Sequence, residues 1–172
     1  MLRLSKKADY ALIAMKHLAQ SASRAEARTR EGGIGAPSAS AREIAEQYDI
    51  PIELLAKVLQ RLVRTGLLAS TQGTRGGYTL SRSPKSISIA DVIQAIDGPF
   101  TVTACSTENN GCEQYSKCSI RDPLWQIRER IAAALGTVSV AELAADQTKG
   151  EGLRADAETV AAPVAIMRRA NA

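Results

Sequence analysis

Three cysteines are the residues of this chain best suited to metal or redox chemistry. They are Cys105, Cys112 and Cys118, and the stretch that holds them is rich in Asn, Ser, Gly and Glu, as is typical of a loop. A structural cysteine usually lies in an apolar run, where it packs as a small hydrophobe, and this stretch has no such run. Thiolate ligands select zinc, copper(I) or an iron–sulfur cluster. We therefore expect these three thiols to bind a soft metal centre.

Other uses of the cysteines fit the sequence less well. An odd number of cysteines cannot pair completely in disulfides within one chain. A thiol oxidoreductase would favour a Cys-x-x-Cys pair, which the chain lacks. The single histidine, His17, is far along the chain from the cysteines, and we expect it to be an ordinary residue on a helix surface. The sequence therefore favours a binding protein over an enzyme, with a zinc site or an oxidation-sensitive thiol left open.

The excess of positive charge lies in the first hundred residues. Residues 1–100 carry 14 Lys/Arg and 9 Asp/Glu, whereas residues 101–172 carry 8 and 9. A basic half is a candidate for contact with a polyanion such as DNA. The apolar runs are too short for a membrane span, and the first residues lack the apolar core of an export signal. We expect a cytoplasmic protein with no membrane partner.

Two short helices joined by a turn are expected between residues 40 and 66. Ser40 and Glu43 match a capping box at the start of the first helix. Pro51 suits the first position of the second helix, and Gly66 is placed to end it. The second helix carries one apolar stripe and one basic face. This pattern is typical of a helix-turn-helix, although a helical hairpin without a DNA role has the same local pattern.

The polar face of this second helix supplies the candidate contacts to the major groove or to phosphate. These residues are Ala56, Lys57, Gln60 and Arg61. A glutamine such as Gln60 can pair with adenine, and an arginine such as Arg61 can pair with guanine or phosphate. Arg61 could instead brace the fold, and the sequence leaves both roles open.

A β-hairpin is expected directly after this helix pair. Residues 67–71 and 78–81 have the pattern of strands, and a Gly-rich turn joins them. A hairpin in this position is the wing of a winged helix, which favours the DNA-binding interpretation over a plain helical hairpin. Gln72 and Arg75 are the candidate DNA contacts of the wing, because an arginine between glycines can enter a minor groove. No lysine-serine pair of a nucleotide-binding loop follows, so we expect no nucleotide site.

A long helix is expected after the cysteines. Asp122 suits its N-cap and Pro123 its first position. Its apolar stripe contains Leu124, Ile127, Ile131 and Leu135, with Trp125 beside it. A second copy of the chain is the natural cover for this stripe, which predicts a two-fold dimer. The second helix of the helix-turn-helix is the recognition helix. In the dimer its two copies would lie about 34 Å apart and contact a palindrome-like double-stranded operator.

The fold class that we expect is mainly α with a small β-hairpin wing, as a winged helix-turn-helix plus a long dimerisation helix. The first helix is expected over residues 5–20, and a further helix is expected to start with the capping box of Ser88 and Asp91. The expected organisation is a DNA-binding domain over 1–98 with a flexible loop at 21–39, a cysteine loop over 99–121, a dimerisation helix and short helix over 122–143, and a disordered tail over 144–172.

Four segments of the sequence carry a resemblance to a known family. They start at Leu4, Ala41, Gly73 and Ile89, and they read Leu-Ser-Lys-Lys-Ala-Asp-Tyr-Ala-Leu, Ala-Arg-Glu-Ile-Ala, Gly-Thr-Arg-Gly-Gly-Tyr and Ile-Ala-Asp-Val-Ile. Together they resemble the winged-helix regulators typified by the iron–sulfur regulator IscR and the nitric-oxide sensor NsrR. Residues 98–105, the cysteine stretch and the helix around Trp125 look closest to the branch that regulates SUF iron–sulfur assembly. The resemblance covers residues 1 to about 143.

The resemblance implies a homodimeric transcription factor with an iron–sulfur cluster, 2Fe-2S or 4Fe-4S, held by Cys105, Cys112 and Cys118. One branch of the family has a histidine ligand three residues after the last cysteine, where this chain has Arg121, which cannot serve as a ligand. Another branch uses an acidic residue next to the tyrosine of the first helix, supplied by the other subunit. The matching residue is Asp9, so the fourth ligand is expected to be Asp9 of the partner subunit.

The function that we expect is regulation of transcription in response to iron–sulfur cluster status, with iron–sulfur assembly genes as targets. A nitric-oxide or iron-status sensor on the same scaffold is an alternative, because it would use the same ligands. A winged-helix regulator that binds zinc or responds to thiol oxidation is the other alternative.

Overall fold

The computed structural model describes residues 4–30, 38–73, 76–101 and 117–145 of the 172-residue chain. The described residues form six α-helices, a two-stranded sheet and one 3-10 turn. In chain order these are α1 (Lys6–Arg30), α2 (Ala41–Gln47), α3 (Ile52–Arg64), β1 (Leu68–Thr71), β2 (Gly77–Leu80), the turn Pro84–Ser86, α4 (Ile89–Asp97), α5 (Arg121–Thr137) and α6 (Val140–Ala145). This order confirms the expected fold class.

The helix pair α2–α3 begins and ends with the local signals that the sequence predicts. The Glu43 amide donates to Ser40 Oγ at 3.2 Å, and the Ser40 amide donates to Glu43 Oε2 at 2.6 Å, which completes the capping box. At the end of α3, Gly66 has a φ of 74° and donates to the Val63 carbonyl, while Leu67 donates to the Leu62 carbonyl. This is a Schellman motif, in which a glycine with positive φ ends the helix. Pro51 is the cap of α3 rather than its first residue.

An aliphatic core joins the helices beneath the wing. The fully buried large side chains are Met15, Leu18, Ile44, Leu55, Leu59, Leu62, Ile87, Val92 and Val140. The short helix α6 belongs to this core, because Val140 is fully buried and its amide donates to the Ile87 carbonyl at 2.8 Å. Ser139 and Glu142 cap α6 reciprocally. The chain therefore returns to the winged helix after α5.

The wing is fixed on both sides. Strands β1 and β2 are antiparallel, with Leu68 opposite Leu80 and Thr71 opposite Gly77. The other edge of β2 bonds to the segment that enters α2, since Tyr78 and Ala39 exchange two backbone hydrogen bonds of 2.9 and 3.2 Å. A Cβ at Gly77 would lie 2.8 Å from the Ala39 carbonyl oxygen, so glycine permits this approach. The base of the wing and the helix-turn-helix are therefore joined directly.

Helix α1 ends ten residues later than the sequence predicts. The expected loop over 21–39 is wrong for residues 21–30, which are helical. This segment has no bulky apolar stripe, but it is rich in Ala and Arg, which have good helix propensity. Ala25 is buried, and Gln20 Nε2 donates to the Ala144 carbonyl at 3.3 Å, so α6 supports α1 at the point where the helix was expected to end. Residues 31–37 lie outside the described residues.

His17 is buried rather than on the helix surface, so the sequence-based expectation for it is wrong. It is 8% exposed, and its Nδ1 lies 3.4 Å from the Tyr48 hydroxyl oxygen. The two rings meet edge to face, with centroids 5.7 Å apart. Tyr48 is the C-cap of α2, so this contact attaches α1 to the turn of the helix-turn-helix.

None of the helices in the described part of the chain has the length and apolar character of a membrane span.

We expect the stability of the protein to fall as the pH is lowered below 6.5, partly because of His17. Burial lowers the pKa of His17 below its ordinary value of 6.5, Arg24 lowers it further, and Glu43 acts in the opposite direction. The unfolded chain therefore binds a proton first, and stability is lost between pH 6.5 and the folded-state pKa. Urea unfolding of the wild type and of His17→Gln, repeated from about pH 7.5 to pH 5, measures the free energy of unfolding of both proteins. If that free energy depends on pH identically in the two proteins, His17 does not contribute to the loss of stability.

Candidate nucleic-acid interface and cysteine segment

A groove between α3 and the wing is the best candidate for contact with a nucleic-acid backbone. Its volume is about 480 Å³, and Ser40, Gln60, Arg64, Thr71 and Gln72 are among the residues that line it. The structure thus brings together Gln60 from α3 and Gln72 from the wing, which the sequence analysis predicts as contacts from two separate elements. Arg75, the other predicted wing contact, lies outside the described residues.

The outer face of α3 presents polar side chains to solvent. Lys57 and Gln60 are exposed, and Ala56, which precedes Lys57, is half-buried. The opposite face contains Leu55, Val58, Leu59 and Leu62, all buried. Burial of the apolar stripe therefore determines which side chains of α3 face outward.

Arg61 is held differently from the other predicted contacts. Its Nε–H donates to the carbonyl of Ala95 in α4 at 2.9 Å. The bracing role that the sequence leaves open is therefore present in the structure. The guanidinium lies toward α4, whereas Gln60 and Arg64 line the groove.

Arg64 is a candidate contact that the sequence analysis does not single out. It is exposed in the last turn of α3 and lines the same groove as Gln60 and Gln72. Residues four apart share one face of a helix, so the position of Gln60 already indicates Arg64. A cation there adds positive charge to a groove whose other named residues are neutral.

Cys118 lies immediately before α5. Its thiol is free and half-buried. Cys105 and Cys112 lie outside the described residues, and within the described ranges no group of three His, Cys, Asp or Glu residues could hold a metal ion. Cys118 is thus the one thiol of the predicted set whose position is known.

Helix α5 begins two residues earlier than expected. Its N-cap is Ile120 rather than Asp122, and Arg121 is its first residue. Arg121 Nε donates to Asp122 Oδ1 at 2.8 Å, so the carboxylate that was expected to cap the helix is bonded to its neighbour instead. This hydrogen bond holds the pKa of Asp122 below its ordinary value. The first turn of α5 therefore follows Cys118 after only two residues.

The end of α4 meets the start of α1 where the chain continues toward the cysteines. The Asp97 carboxylate accepts hydrogen bonds from the Ser5 hydroxyl at 2.5 Å and the Ser5 amide at 3.2 Å. Asp9, the predicted fourth ligand, is exposed in the first turn of α1, and its amide donates to the Ser5 carbonyl. The carboxylate of Asp9 is therefore accessible to another chain.

Large apolar side chains are exposed on α5 and at its ends. Of the five large apolar side chains that are exposed among the described residues, four belong to α5 or its ends: Ile120, Trp125, Ile127 and Val138. Arg128 covers one face of Trp125, with its guanidinium carbon 4.7 Å from the ring centroid. Helix α5 also contacts α4. Its exposed apolar side chains differ from the apolar stripe of α3, which is buried.

Comparison with known proteins identifies the family. The model of the Rrf2 family, described as iron-dependent transcriptional regulator, matches residues 4–146. The chain belongs to the Rrf2 family. The resemblance that the sequence motifs carry is thereby confirmed, and the Rrf2 match includes both the winged helix and the cysteine segment.

Named relatives within the family are regulators of transcription. The HTH-type transcriptional regulator IscR of Xenorhabdus nematophila is 33% identical over 147 residues, which cover 85% of this chain and 81% of the relative. The structure of CymR, the global cysteine regulator of B. subtilis, matches with a TM-score of 0.63 and 25% identity, over 84% of this chain and 98% of that one. T. potens IscR matches with a TM-score of 0.61 and 24% identity, over 84% and 88% of the two chains. These names agree with a regulator and not with an enzyme.

Proposed function

We propose that this Rrf2-family chain is a homodimeric transcriptional regulator whose affinity for operator DNA depends on an iron–sulfur cluster held by three cysteines. The main support is the match of the Rrf2 model to both the winged helix and the cysteine segment. The expected physiological role is control of iron–sulfur assembly genes in the cytoplasm.

The DNA contacts that we propose come from α3 and the wing. Ala56, Lys57 and Gln60 lie on the solvent side of α3, where they would enter the major groove. Gln72 and Arg75 of the wing would contact the adjacent backbone or minor groove. Arg64 adds a cation to the groove between these elements. Gln60 would then recognise the base sequence, because a glutamine can form two hydrogen bonds with adenine.

The dimer that we propose forms through α5. The four exposed apolar side chains around α5 are the largest concentration of such residues in the described part of the chain. Apolar area removed from water contributes about 25 cal/mol per Å², so a second copy that covers these side chains would be favourable. A two-fold axis between the two copies of α5 would present two copies of α3 to successive turns of DNA.

We expect Ile127→Glu to convert the dimer to a monomer. Ile127 is 44% exposed on α5, and a carboxylate there would have to be buried without a partner in the dimer. Sedimentation of the variant and the wild type at the same concentration measures the change. Gln47→Glu adds the same charge on α2, away from α5, and should stay dimeric. A dimeric Ile127→Glu protein would contradict the proposed interface.

The cluster that we propose is held by Cys105, Cys112 and Cys118, with Asp9 of the partner subunit as the fourth ligand. The cluster, when bound, supplies a redox-sensitive and oxygen-sensitive iron centre. The Asp9 carboxylate would be a weaker ligand than a thiolate, which suits a sensor that must release or alter its cluster. The exposed position of Asp9, beside the Ser5 bond to Asp97, is consistent with this role.

A regulator governed by thiols or zinc is the second candidate. It is favoured by the free thiol of Cys118. Nitric-oxide or iron sensing through the cluster is a variant of the first candidate. Iron and sulfide content separates the cluster candidates from the zinc or thiol candidate.

DNA binding through α3 can be tested by the salt dependence of affinity. A duplex is first selected from random sequences with the wild-type protein, and its affinity is then measured over a range of salt concentrations. If Lys57 contacts phosphate, Lys57→Gln should weaken binding and reduce the slope of log affinity against log salt by about 1 per half-site. Lys85→Gln removes the same charge from the exposed 3-10 turn and should leave the slope unchanged. Equal slopes for the two variants would exclude the proposed contact.

A further inference from the structure

The bond between Arg61 and Ala95 satisfies a carbonyl that the backbone of α4 leaves open. In a continuing helix, the carbonyl of Ala95 would accept from the amide of residue 99. Residue 99 is proline, which has no amide hydrogen, and Gly98 has already left the helix with a φ of 85°. The guanidinium of Arg61 takes that place at 2.9 Å. A cation at the carboxyl end of a helix also interacts favourably with the helix dipole.

The same turn of α4 is tied to α1. Asp97 accepts two hydrogen bonds from Ser5, so the carboxyl end of α4 is attached to α3 through Arg61 and to α1 through Ser5. Three residues past Gly98, at Thr101, the chain continues toward Cys105. The recognition helix is therefore bonded to the turn that precedes the cysteine segment.

Helix α4 also lies between the recognition helix and the proposed dimer helix. It contacts α3 on one side and α5 on another. The orientation of α3 relative to α5 determines how far apart the two copies of α3 lie across a two-fold axis. A side chain that fixes α3 to α4 therefore acts on the spacing between half-sites without contacting DNA.

We propose that Arg61 is a positioning residue, which fixes the recognition helix to the carboxyl end of α4 and so sets the half-site spacing that the dimer recognises. This inference rests on the proposed function, since it requires that α3 bind DNA in a dimer. It assigns to Arg61 a role different from that of Lys57, Gln60 and Arg64, although all four lie within two turns of α3.

The test compares Arg61→Gln with the wild type on the selected operator and on operators whose half-sites are one base pair closer or farther apart. We expect Arg61→Gln to bind the selected operator on the order of tenfold more weakly, because ordering α3 into the binding orientation then costs part of the binding free energy. Its salt slope should equal that of the wild type, because no phosphate contact is lost. Its preference for the selected spacing over the altered spacings should fall at least about threefold, because the orientation of α3 is less restricted.

A second variant keeps the test decisive if Arg61→Gln unfolds. Arg61→Lys retains a charged donor and should keep the preference of the wild type for the selected spacing. A salt slope reduced by about 1 per half-site in Arg61→Gln, with unchanged spacing preference, would make Arg61 a phosphate contact and overturn the proposal. Wild-type spacing preference in a folded Arg61→Gln protein, or loss of that preference in a folded Arg61→Lys protein, would also overturn it. A wild-type protein that selects no DNA sequence at all would instead refute the proposed function.

Discussion

Cys118→Ala is expected to yield a protein that retains at least about tenfold less iron and sulfide than the wild type after identical anaerobic preparation. Loss even of outer residues around a metal site costs about 10- to 100-fold in affinity, and Cys118 is proposed to bind the iron directly. Cys118 lies three residues before Arg121, the first residue of α5, so the variant removes the proposed ligand nearest to the proposed dimer helix. Iron, sulfide and visible absorption per chain measure the effect.

The control for this variant is Ser119→Ala. Ser119 is the next residue, it is exposed, and it carries no thiol, so the variant should keep the iron and sulfide content of the wild type. Alanine at position 118 is chosen because a serine oxygen could still bind iron. Wild-type iron and sulfide content in Cys118→Ala would remove this cysteine from the ligand set.

Leu59→Ala is expected to lower the free energy of unfolding by about 2–5 kcal/mol. Leu59 is fully buried on the inner face of α3, so truncation removes apolar contact and leaves a cavity beneath the recognition helix. Native domains have only about 5–15 kcal/mol of stability, so such a loss would leave the protein partly unfolded under mild conditions. Urea unfolding followed by helical circular dichroism measures it.

Lys57→Ala, two residues away on the exposed face of α3, is the matched control. It should change the unfolding free energy by no more than about 0.5 kcal/mol. The two variants separate the inner face of α3, which stabilises the fold, from the outer face, which is proposed to bind DNA. A loss below about 1 kcal/mol for Leu59→Ala would contradict the assigned packing.

Short-range signals allowed much of the fold to be predicted from the sequence. The capping boxes at Ser40 and Ser88 and the glycine at the end of α3 act over three or four residues, and the structure contains all of them. The apolar stripe of α3 likewise predicts which face is buried. Such features depend on local geometry and hydrophobic period, which one sequence displays directly.

Features that depend on distant partners could not be predicted in this way. The extension of α1 to Arg30 is accompanied by a bond from Gln20 to Ala144, 124 residues away. His17 is buried because Tyr48 of another helix packs against it. The role of Arg61 stayed open because its partner, Ala95, is a backbone carbonyl that carries no sequence signature. The DNA contacts and cluster ligands remain predictions, and Arg75, Cys105 and Cys112 lie outside the described residues.

The most direct test of a cluster-controlled DNA binder is the operator affinity of one preparation before and after removal of its cluster. The protein is purified without oxygen, its iron and sulfide are measured, and binding to the selected duplex is recorded for both forms at one salt concentration. Coupling between two sites is typically worth about 5- to 150-fold in affinity, and we predict a difference within that range. Equal affinities of the two forms, or a protein that holds no iron and sulfide even after reconstitution, would contradict the account.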